Sequence, residues 1–360
     1  MRLFILFALF FLYPINASIT ERFPSYSYVL SELDIDEGYI YDSDFETFAN
    51  AHANSLKKFY KNSLKRGSHY LPTFKYLLLD DGMSDLFIYL SMIESGLSPN
   101  ALSPKKAAGL WQFMPSTARH YSLIINGYID ERYDPISSTQ AAMTYLKKLH
   151  KDFGKWYLAI MAYNCGEGRV AKAIKLSGSK ELSVLIDDDK KYLPKETREY
   201  IKKIILLSMI GENVTLGFDS ANEEFKATYK DIHELTLPKG TNLRLLSQKL
   251  DMKHKAFMTM NPHITNQTTL QSSCSIIIPQ DKLANYYLCY ETAIAPKTKP
   301  LDHLISYVAQ ENVSLETIAQ EYNSSLEAIL VTNNFSKLQL TQGEIIAIPV
   351  TKKVFRHYTH

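Results

Sequence analysis

The sequence predicts a multidomain protein in which a mainly α-helical domain is followed by two small α+β units. Its 360 residues exceed one ordinary domain of roughly 150 residues. Apolar residues recur at helical spacing from residue 44 to residue 217, and a weak internal repeat follows. The hydrophobic fraction of 46% and the charged fraction of 22% are ordinary for a globular protein and exclude a disordered chain.

The first 17 residues have the pattern of a signal peptide. Arg2 supplies a positive charge, the stretch from Leu3 to Tyr13 is apolar, and Ala17 is small. This apolar stretch is too short to span a bilayer comfortably. We therefore expect cleavage near Ala17 and export to the periplasm, with an uncleaved anchor as the alternative. Residues 18–43 are then an N-terminal segment before the helical domain.

The helical domain is predicted over residues 44–217. Ser84 is a candidate N-cap for a helix that ends at Glu94, and Ser138 for a helix that ends at Gly154. Short connections rich in Gly, Pro and Ser separate these helices, as expected of a compact helical domain.

Each copy of the internal repeat predicts the order strand, helix, helix, strand. The two copies close with similar segments, at residues 276–279 and 346–349. The domain assignment is a first unit at 232–280, a linker at 281–302 rich in Pro, Lys and Thr, a second unit at 303–350 and a C-terminal tail at 351–360.

Charge and cysteine content say less about function. The formal net charge is +2, and the absence of a dense Lys/Arg stripe argues against a nucleic-acid partner. Cys274 and Cys289 are near enough in sequence to close a loop and leave Cys165 free, while three free thiols are an equal alternative. Cysteine and histidine residues lack the spacing of metal ligands.

Glu94 is the candidate catalytic residue. On a helix its carboxyl shares a side with Leu90 and Phe87, so burial is expected to raise its pKa. A carboxyl that keeps its proton near neutral pH can act as a general acid. Taken alone, however, a single Glu before a glycine is more often an exposed helix-end residue.

Three separated segments favour the catalytic interpretation of Glu94 over the helix-end one. They are Glu94-Ser95, residues 109–117 (GLWQFMPST) and residues 162–166 (AYNCG). In order and spacing they resemble the E-S, G-L-x-Q-x-M-P-S-T and A-Y-N-x-G motifs of the soluble lytic transglycosylase domain. The resemblance covers about residues 44–211, and includes residues 193–201 (LPKETREYI).

The second segment also has a plain physical interpretation. The Gln112 amide can donate and accept hydrogen bonds to sugar groups, and Phe113 and Met114 can offer apolar surface to a sugar face. Packing in the protein core is an equal alternative for Trp111, Phe113 and Met114. Pro115 is typical of a helix start.

The resemblance implies a goose-lysozyme-like fold and a set of roles. Glu94 would be the acid and then the base, and Tyr200 would orient its carboxyl. The residues implied to bind substrate are Ser95, Gln112, Met114, Tyr163, Asn164 and Tyr200. Cys165 occupies a variable motif position and needs no role.

The implied reaction cleaves the β-1,4 bond between N-acetylmuramic acid and N-acetylglucosamine in peptidoglycan. The motifs of the soluble lytic transglycosylase domain carry no second catalytic carboxylate, unlike those of most glycosidases. The substrate's N-acetyl group would stabilise the cation, and the muramic C6 hydroxyl would close a 1,6-anhydro ring. Neither metal nor organic cofactor is implied. The alternatives are a goose-type lysozyme or chitinase of the same fold, and a non-catalytic wall-binding scaffold.

The two C-terminal units resemble LysM modules, which bind glycans containing N-acetylglucosamine. The second unit is the better match, although Val313 and Ser314 replace the usual acidic-Thr pair. For the first unit, a spacer is as good an interpretation as a glycan binder. The whole arrangement resembles the membrane-bound lytic murein transglycosylase D family, which implies peptidoglycan strands as partner and peripheral association with the cell wall or membrane.

Overall fold

The computed structural model describes residues 18–67, 69–218, 232–265, 267–289, 301, 303–333, 335 and 337–359. The predicted signal peptide and residues 290–300 of the predicted linker lie outside them. The described chain is mainly α-helical, and its buried apolar residues form one large cluster and two smaller ones. None of the described helices combines the length and apolar character that a membrane crossing requires.

Residues 18–218 form the helical part of the structure. Its helices are α1 (Ile19–Arg22), α2 (Tyr26–Glu32), α3 (Ser43–Gly67), α4 (Leu71–Asp80), α5 (Phe87–Ser95), α6 (Pro115–His120), α7 (Pro135–Phe153), α8 (Trp156–Cys165), α9 (Glu167–Ser177), α10 (Leu182–Leu185) and α11 (Lys195–Thr215). Helix α11 packs against α2, α3, α5 and α8. Its Ile and Leu side chains, from Ile201 to Leu207, are almost completely buried, so α11 is the centre of the domain.

The N-terminal segment belongs to the same core. Phe23 and Leu30 are buried in the large apolar cluster with residues of α11. The hydroxyl of Ser25 donates to Oδ1 of Asn213 at 2.7 Å. Apolar residues of the segment therefore stabilise the helical domain, a role that was not predicted for them.

Both predicted N-cap serines are wrong. Helix α5 begins at Phe87, and Ser84 accepts a hydrogen bond from the Leu86 N–H in the turn before it. Helix α7 begins at Pro135, where Oδ1 of Asp134 accepts from the Ile136 N–H at 3.0 Å. Asp134 and proline at the first helical position together define an earlier start than Ser138 does.

The first C-terminal unit contains β1 (Ile232–Leu237), α12 (Leu243–Lys249), α13 (His254–Met260), β2 (Cys274–Pro279) and α14 (Leu283–Cys289). The second contains β3 (His303–Val308), β4 (Val313–Ser314), α15 (Leu315–Glu321), α16 (Leu326–Asn333), β5 (Gln339–Leu340), β6 (Ile345–Val350) and α17 (Lys352–Thr359). Strands β1 and β2 pair antiparallel, as do β3 and β6. The predicted order of two strands around two helices is present in both units.

Equivalent asparagines connect helix to strand in the two units. The Asn261 amide donates to Ile277 O at 2.9 Å and accepts from the Ile277 N–H at 2.6 Å. Asn333 makes the same pair of bonds to Ala347, at 2.7 and 2.8 Å. Because these amides satisfy backbone groups of β2 and β6, they fix each helix to its strand.

Two helices lie where the sequence predicted irregular chain. Helix α14 is inside the predicted linker, and Tyr286 on it is buried in the core of the first unit. Helix α17 forms most of the predicted tail and packs Val354 and Phe355 against the second unit. Apolar side chains inside polar stretches explain both differences. Cys274 is a buried free thiol, and Cys165 is also free.

Candidate active site

Glu94 lies in the last turn of α5. The helix is apolar, with Phe87 and Leu90 buried, and it ends at Ser95 because Gly96 adopts a left-handed conformation with φ of 61°. The Glu94 side chain is only partly exposed. Burial raises its pKa from the ordinary value of 4.5 to about 7, so a large fraction of the carboxyl keeps its proton at neutral pH.

Tyr200 orients the Glu94 carboxyl. It is a buried residue of α11, and its hydroxyl donates a hydrogen bond to Oε1 of Glu94. This bond favours the charged carboxylate and so opposes the rise in the Glu94 pKa. Burial, followed by the negative charge of Glu94, raises the pKa of Tyr200, which therefore stays a hydrogen-bond donor across the neutral range.

Tyr163 and Asn164 lie near the end of α8, and Tyr163 is close to the same carboxyl. The Tyr163 hydroxyl donates to Trp111 O at 2.6 Å. Burial, and then the charge of Glu94, raise the pKa of Tyr163. Oδ1 of Asn164 accepts from the Thr197 hydroxyl at 2.8 Å. With the oxygen of this amide turned toward Thr197, its NH₂ group is left to donate in another direction.

Gln112 is held mainly by its own loop. Its Nε2 donates to Gly109 O at 2.8 Å and to Ala101 O at 3.3 Å, which leaves the side-chain oxygen as an acceptor. Its backbone has φ of 48°, the left-handed region that non-glycine residues rarely adopt. Such strain persists only where the surroundings enforce it, and it is frequent at functional sites.

The side chains around Gln112 divide between core and surface. Met114 is 42% exposed, whereas Phe113 is 2% exposed and packs edge-on against the Tyr163 ring. Trp111 is fully buried and its Nε1 donates to the Thr139 hydroxyl at 2.8 Å. The expectation that Phe113 offers surface to a sugar is therefore wrong, because its ring is used in the core, while Met114 is accessible.

Ser95 makes its described hydrogen bond within α5. Its hydroxyl donates to Ser91 O, one turn earlier, at 3.1 Å. The structure thus brings together Glu94, Tyr200, Tyr163 and the loop of Gln112, with Ser95 beside them. In the part of the chain that the structure describes, no group of three or more His, Cys, Asp or Glu side chains could hold a metal ion.

Residues 74–186 match the family model of the transglycosylase SLT domain. They include the part of the site formed by Glu94, Gln112, Tyr163 and Asn164. This part of the chain is similar to a transglycosylase SLT domain. Tyr200 lies beyond the matched residues but contacts Glu94 inside them.

Relatives of known name match the same part of the chain. The membrane-bound lytic murein transglycosylase D of Escherichia coli strain K12 is 42% identical over 127 residues, which are 35% of this chain and 28% of that protein. The soluble lytic murein transglycosylase of the same strain is 32% identical over 117 residues, which are 31% of this chain and 18% of that one. The chain thus aligns with less than a third of either relative.

Solved structures of lytic transglycosylases are also similar to parts of the chain. That of an inactive mutant of lytic transglycosylase Slt from Pseudomonas aeruginosa is 25% identical, with a TM-score of 0.34, over 40% of this chain and 24% of that one.

Sequence reasoning missed two residues at this site. Glu196, an exposed residue in the first turn of α11, is near enough for its negative charge to raise the pKa of Glu94. Thr197 holds the Asn164 amide and is buried. Both lie in the stretch 193–201 that carried the resemblance, one helical turn before Tyr200, and that spacing was the available signal.

Proposed function

We propose that this protein is a peptidoglycan lytic transglycosylase in which Glu94 is the single acid and base. One observation carries the proposal: the partly buried Glu94 carboxyl has a pKa of about 7 and is oriented by the Tyr200 hydroxyl. A group with that pKa is present in both forms near neutral pH, as a residue that must donate a proton and then accept one requires. The names of the aligned relatives agree with this activity.

In the first step, protonated Glu94 gives its proton to the glycosidic oxygen as the bond from that oxygen to C1 of N-acetylmuramic acid breaks. The carbonyl oxygen of the substrate's 2-acetamido group stabilises the positive charge that develops at C1. The NH₂ group of Asn164 and the oxygen of the neighbouring Tyr163 would orient this acetamido group.

In the second step, the Glu94 carboxylate accepts the proton of the muramic C6 hydroxyl while that oxygen bonds to C1. The acetamido group is released unchanged, Glu94 regains its proton, and the product ends in a 1,6-anhydro sugar. Water is not consumed, so bond cleavage and ring closure balance. Gln112 and Met114 would contact neighbouring sugars through an amide oxygen and an exposed thioether chain.

The rest of the chain would bring the enzyme to its substrate. Residues 1–17 would direct export to the periplasm and be removed, and residues 44–217 would be the catalytic domain. The second unit, residues 303–350, would act as a LysM-like module on glycan strands, supported by its order of strands and helices and by the Asn333 bonds.

Glu94→Gln tests the proposal, because Gln keeps the shape and loses the transferable proton. Purified sacculi should be digested by the wild type and not by Glu94→Gln, while both co-sediment with sacculi equally. Glu181→Gln, an exposed residue of the same domain, is the matched control and should digest normally. Equal digestion by Glu94→Gln and the wild type would remove Glu94 from the mechanism.

One observation favours a second candidate, a hydrolase. Glu196 is a second carboxylate whose charge acts on Glu94, and an inverting glycosidase uses such a group to activate water. A hydrolase would leave a reducing end in place of an anhydro end, so the products separate the two reactions.

A further inference from the structure

Arg132 connects the loop of Gln112 to the rest of the protein. It is 7% exposed and forms a two-point ion pair with Asp130, with Nε to Oδ1 at 2.9 Å and Nη2 to Oδ2 at 2.7 Å. Its remaining nitrogen, Nη1, donates to Lys106 O at 2.7 Å and Phe113 O at 3.3 Å. A planar guanidinium paired in this way has one fixed orientation, so it fixes the two loop carbonyls as well.

The loop is also pressed directly onto the Arg132 backbone. A Cβ atom on Gly109 would lie 1.6 Å from Arg132 O, closer than any real contact, and Gly109 has φ of 80°. On the other side of the loop, Trp111 O accepts the Tyr163 hydroxyl at 2.6 Å. The loop that carries Gln112 and Met114 is therefore held between Arg132 and the side chains next to Glu94.

The first C-terminal unit is hydrogen-bonded to the segment just before Arg132. The Asp130 N–H donates to His263 O at 2.9 Å, and the Thr265 N–H donates to Tyr128 O at 2.9 Å. Between these bonds, Ile129 and Ile264 face each other in an antiparallel bridge. Residues 128–130 of the helical domain therefore pair as a short strand with residues 263–265 of the first unit.

At this contact, each of the two parts inserts one isoleucine into the core of the other. Ile129 of the helical domain is 2% exposed and packs in the core of the first unit. Ile277 on β2 of the first unit is 1% exposed and packs in the core of the helical domain. Burial of two such side chains stabilises the contact by roughly 3–6 kcal/mol before entropy is counted.

In the second unit, the strand face that corresponds to the Ile277 side of β2 is not buried. Ala347 on β6 is equivalent to Ile277 in the internal repeat, and Ile345, two residues earlier on the same face of the strand, is 66% exposed. In both units the alternate residues of this strand (Ile276 and Ile278, Ile346 and Ile348) lie in the unit's own core, and only in the first unit is the opposite face covered by the helical domain. The packing of Ile277 is therefore a property of the first unit alone.

We propose that Arg132 is a positioning residue for the glycan-binding loop, and that the first C-terminal unit acts as a brace that holds Arg132 in place through Asp130. This inference rests on the proposed function for its kinetic consequence. Its structural part, that Ile277 and Arg132 restrain the loop of Trp111, holds independently of any activity.

Trp111 fluorescence tests the structural part. The chain has two tryptophans, so in a Trp156→Phe background Trp111 reports on its own loop. Ile277→Ala, Asp130→Asn and Arg132→Lys should each increase acrylamide quenching of Trp111 by about twofold or more, because a loosened loop opens locally. Ile345→Ala removes the same atoms from an exposed site and should leave quenching unchanged.

Kinetics on peptidoglycan test the consequence with the full chain. Because misplacement of a binding group by about 1 Å costs up to roughly 100-fold, kcat/KM should fall by about 10- to 100-fold in Asp130→Asn and Arg132→Lys, mostly through KM. The pH dependence of kcat should stay that of the wild type, since Glu94 is untouched. In the double variant Ile277→Ala/Arg132→Lys, kcat/KM should fall by less than the product of the two single-variant factors, because the two sites are coupled.

The outcomes separate the two proposals. If the wild type digests sacculi and these variants match it in both quenching and KM, the brace is disproved and the proposed function stands. If the wild type does not digest while the quenching changes appear, the proposed function fails and the structural brace stands. Circular dichroism at the assay temperature checks that each variant is folded. If Ile277→Ala is unfolded, the test is decided by Asp130→Asn, which keeps the side-chain shape.

Discussion

The Tyr200 hydroxyl donates a hydrogen bond to Oε1 of Glu94, and this bond joins two helices whose residues are 106 positions apart. Glu94 is near the end of α5, and Tyr200 is on the central helix α11. The orientation of the candidate catalytic carboxyl therefore depends on the most buried helix of the domain. A rigid support of this kind keeps a reacting group in place without reorganisation.

Tyr200→Phe should lower kcat by about 10- to 100-fold, because the carboxyl loses the donor that orients it. The lost bond had favoured the charged carboxylate, so the pKa of Glu94 should rise further. Activity that needs protonated Glu94 should then persist to higher pH. The measurement is a pH profile of kcat, with Tyr157→Phe as the control, since the Tyr157 hydroxyl bonds to Lys180 O away from the site. An alkaline limit that stays at the wild-type pH would contradict the expectation.

Glu196→Gln should shift the same profile in the opposite direction. Removal of a nearby negative charge makes ionisation of Glu94 easier, so its pKa falls and the alkaline limit moves to lower pH. Because Glu196 is exposed, the shift should shrink as the salt concentration rises. Loss of nearly all activity in this variant would instead make Glu196 a catalytic base and favour the hydrolase.

Glu94→Gln should make the folded protein more stable at pH 8 but not at pH 4. The unfolded chain ionises this carboxyl near pH 4.5, whereas the folded chain does so near pH 7. Wild-type stability from this group is therefore present below pH 4.5 and is lost as the pH rises to 7. The gain at pH 8 should be about 3 kcal/mol at most. Urea unfolding at the two pH values measures it, and an equal difference at both would be the contrary result.

Gly109→Ala should destabilise the protein by about 3 kcal/mol or more and abolish digestion, because both the contact with Arg132 O and the positive φ exclude a Cβ. Gly154→Ala is the matched control. It has φ of 78° but no atom within 4 Å of the added Cβ, so only the backbone strain of about 1–2 kcal/mol is expected. Thermal unfolding of the two variants compares them directly, and equal losses would mean that the Arg132 contact can relax.

Local signals in the sequence predicted the helix ends better than the helix starts. Gly96 and Gly154 adopt left-handed conformations that other residues rarely reach, so each ends its helix as expected. The starts were wrong because several residues compete as N-caps, and Asp134 before a proline is stronger than Ser138. A choice between neighbouring candidates depends on the geometry of the turn that leads into the helix.

Long-range contacts limited what the sequence could say of the site. Glu94 was suggested by its apolar helix together with the motif resemblance, and Tyr200 by the resemblance alone. Arg132 was not suggested at all, because its partners, Lys106 O and Phe113 O, are backbone atoms distant in sequence. The burial of Ile277 against the helical domain could not be predicted either, since Ile277 and the exposed Ile345 lie in strands with the same apolar sequence pattern.

The most direct test of the intramolecular reaction proposed at Glu94 is the mass of the wild-type products from purified sacculi. If the muramic C6 hydroxyl closes on C1, each new end should be an anhydro sugar, one water lighter than a reducing end, and no ¹⁸O should enter the new end from H₂¹⁸O. Products with reducing ends that carry ¹⁸O would show that water attacks C1, and would contradict the intramolecular reaction.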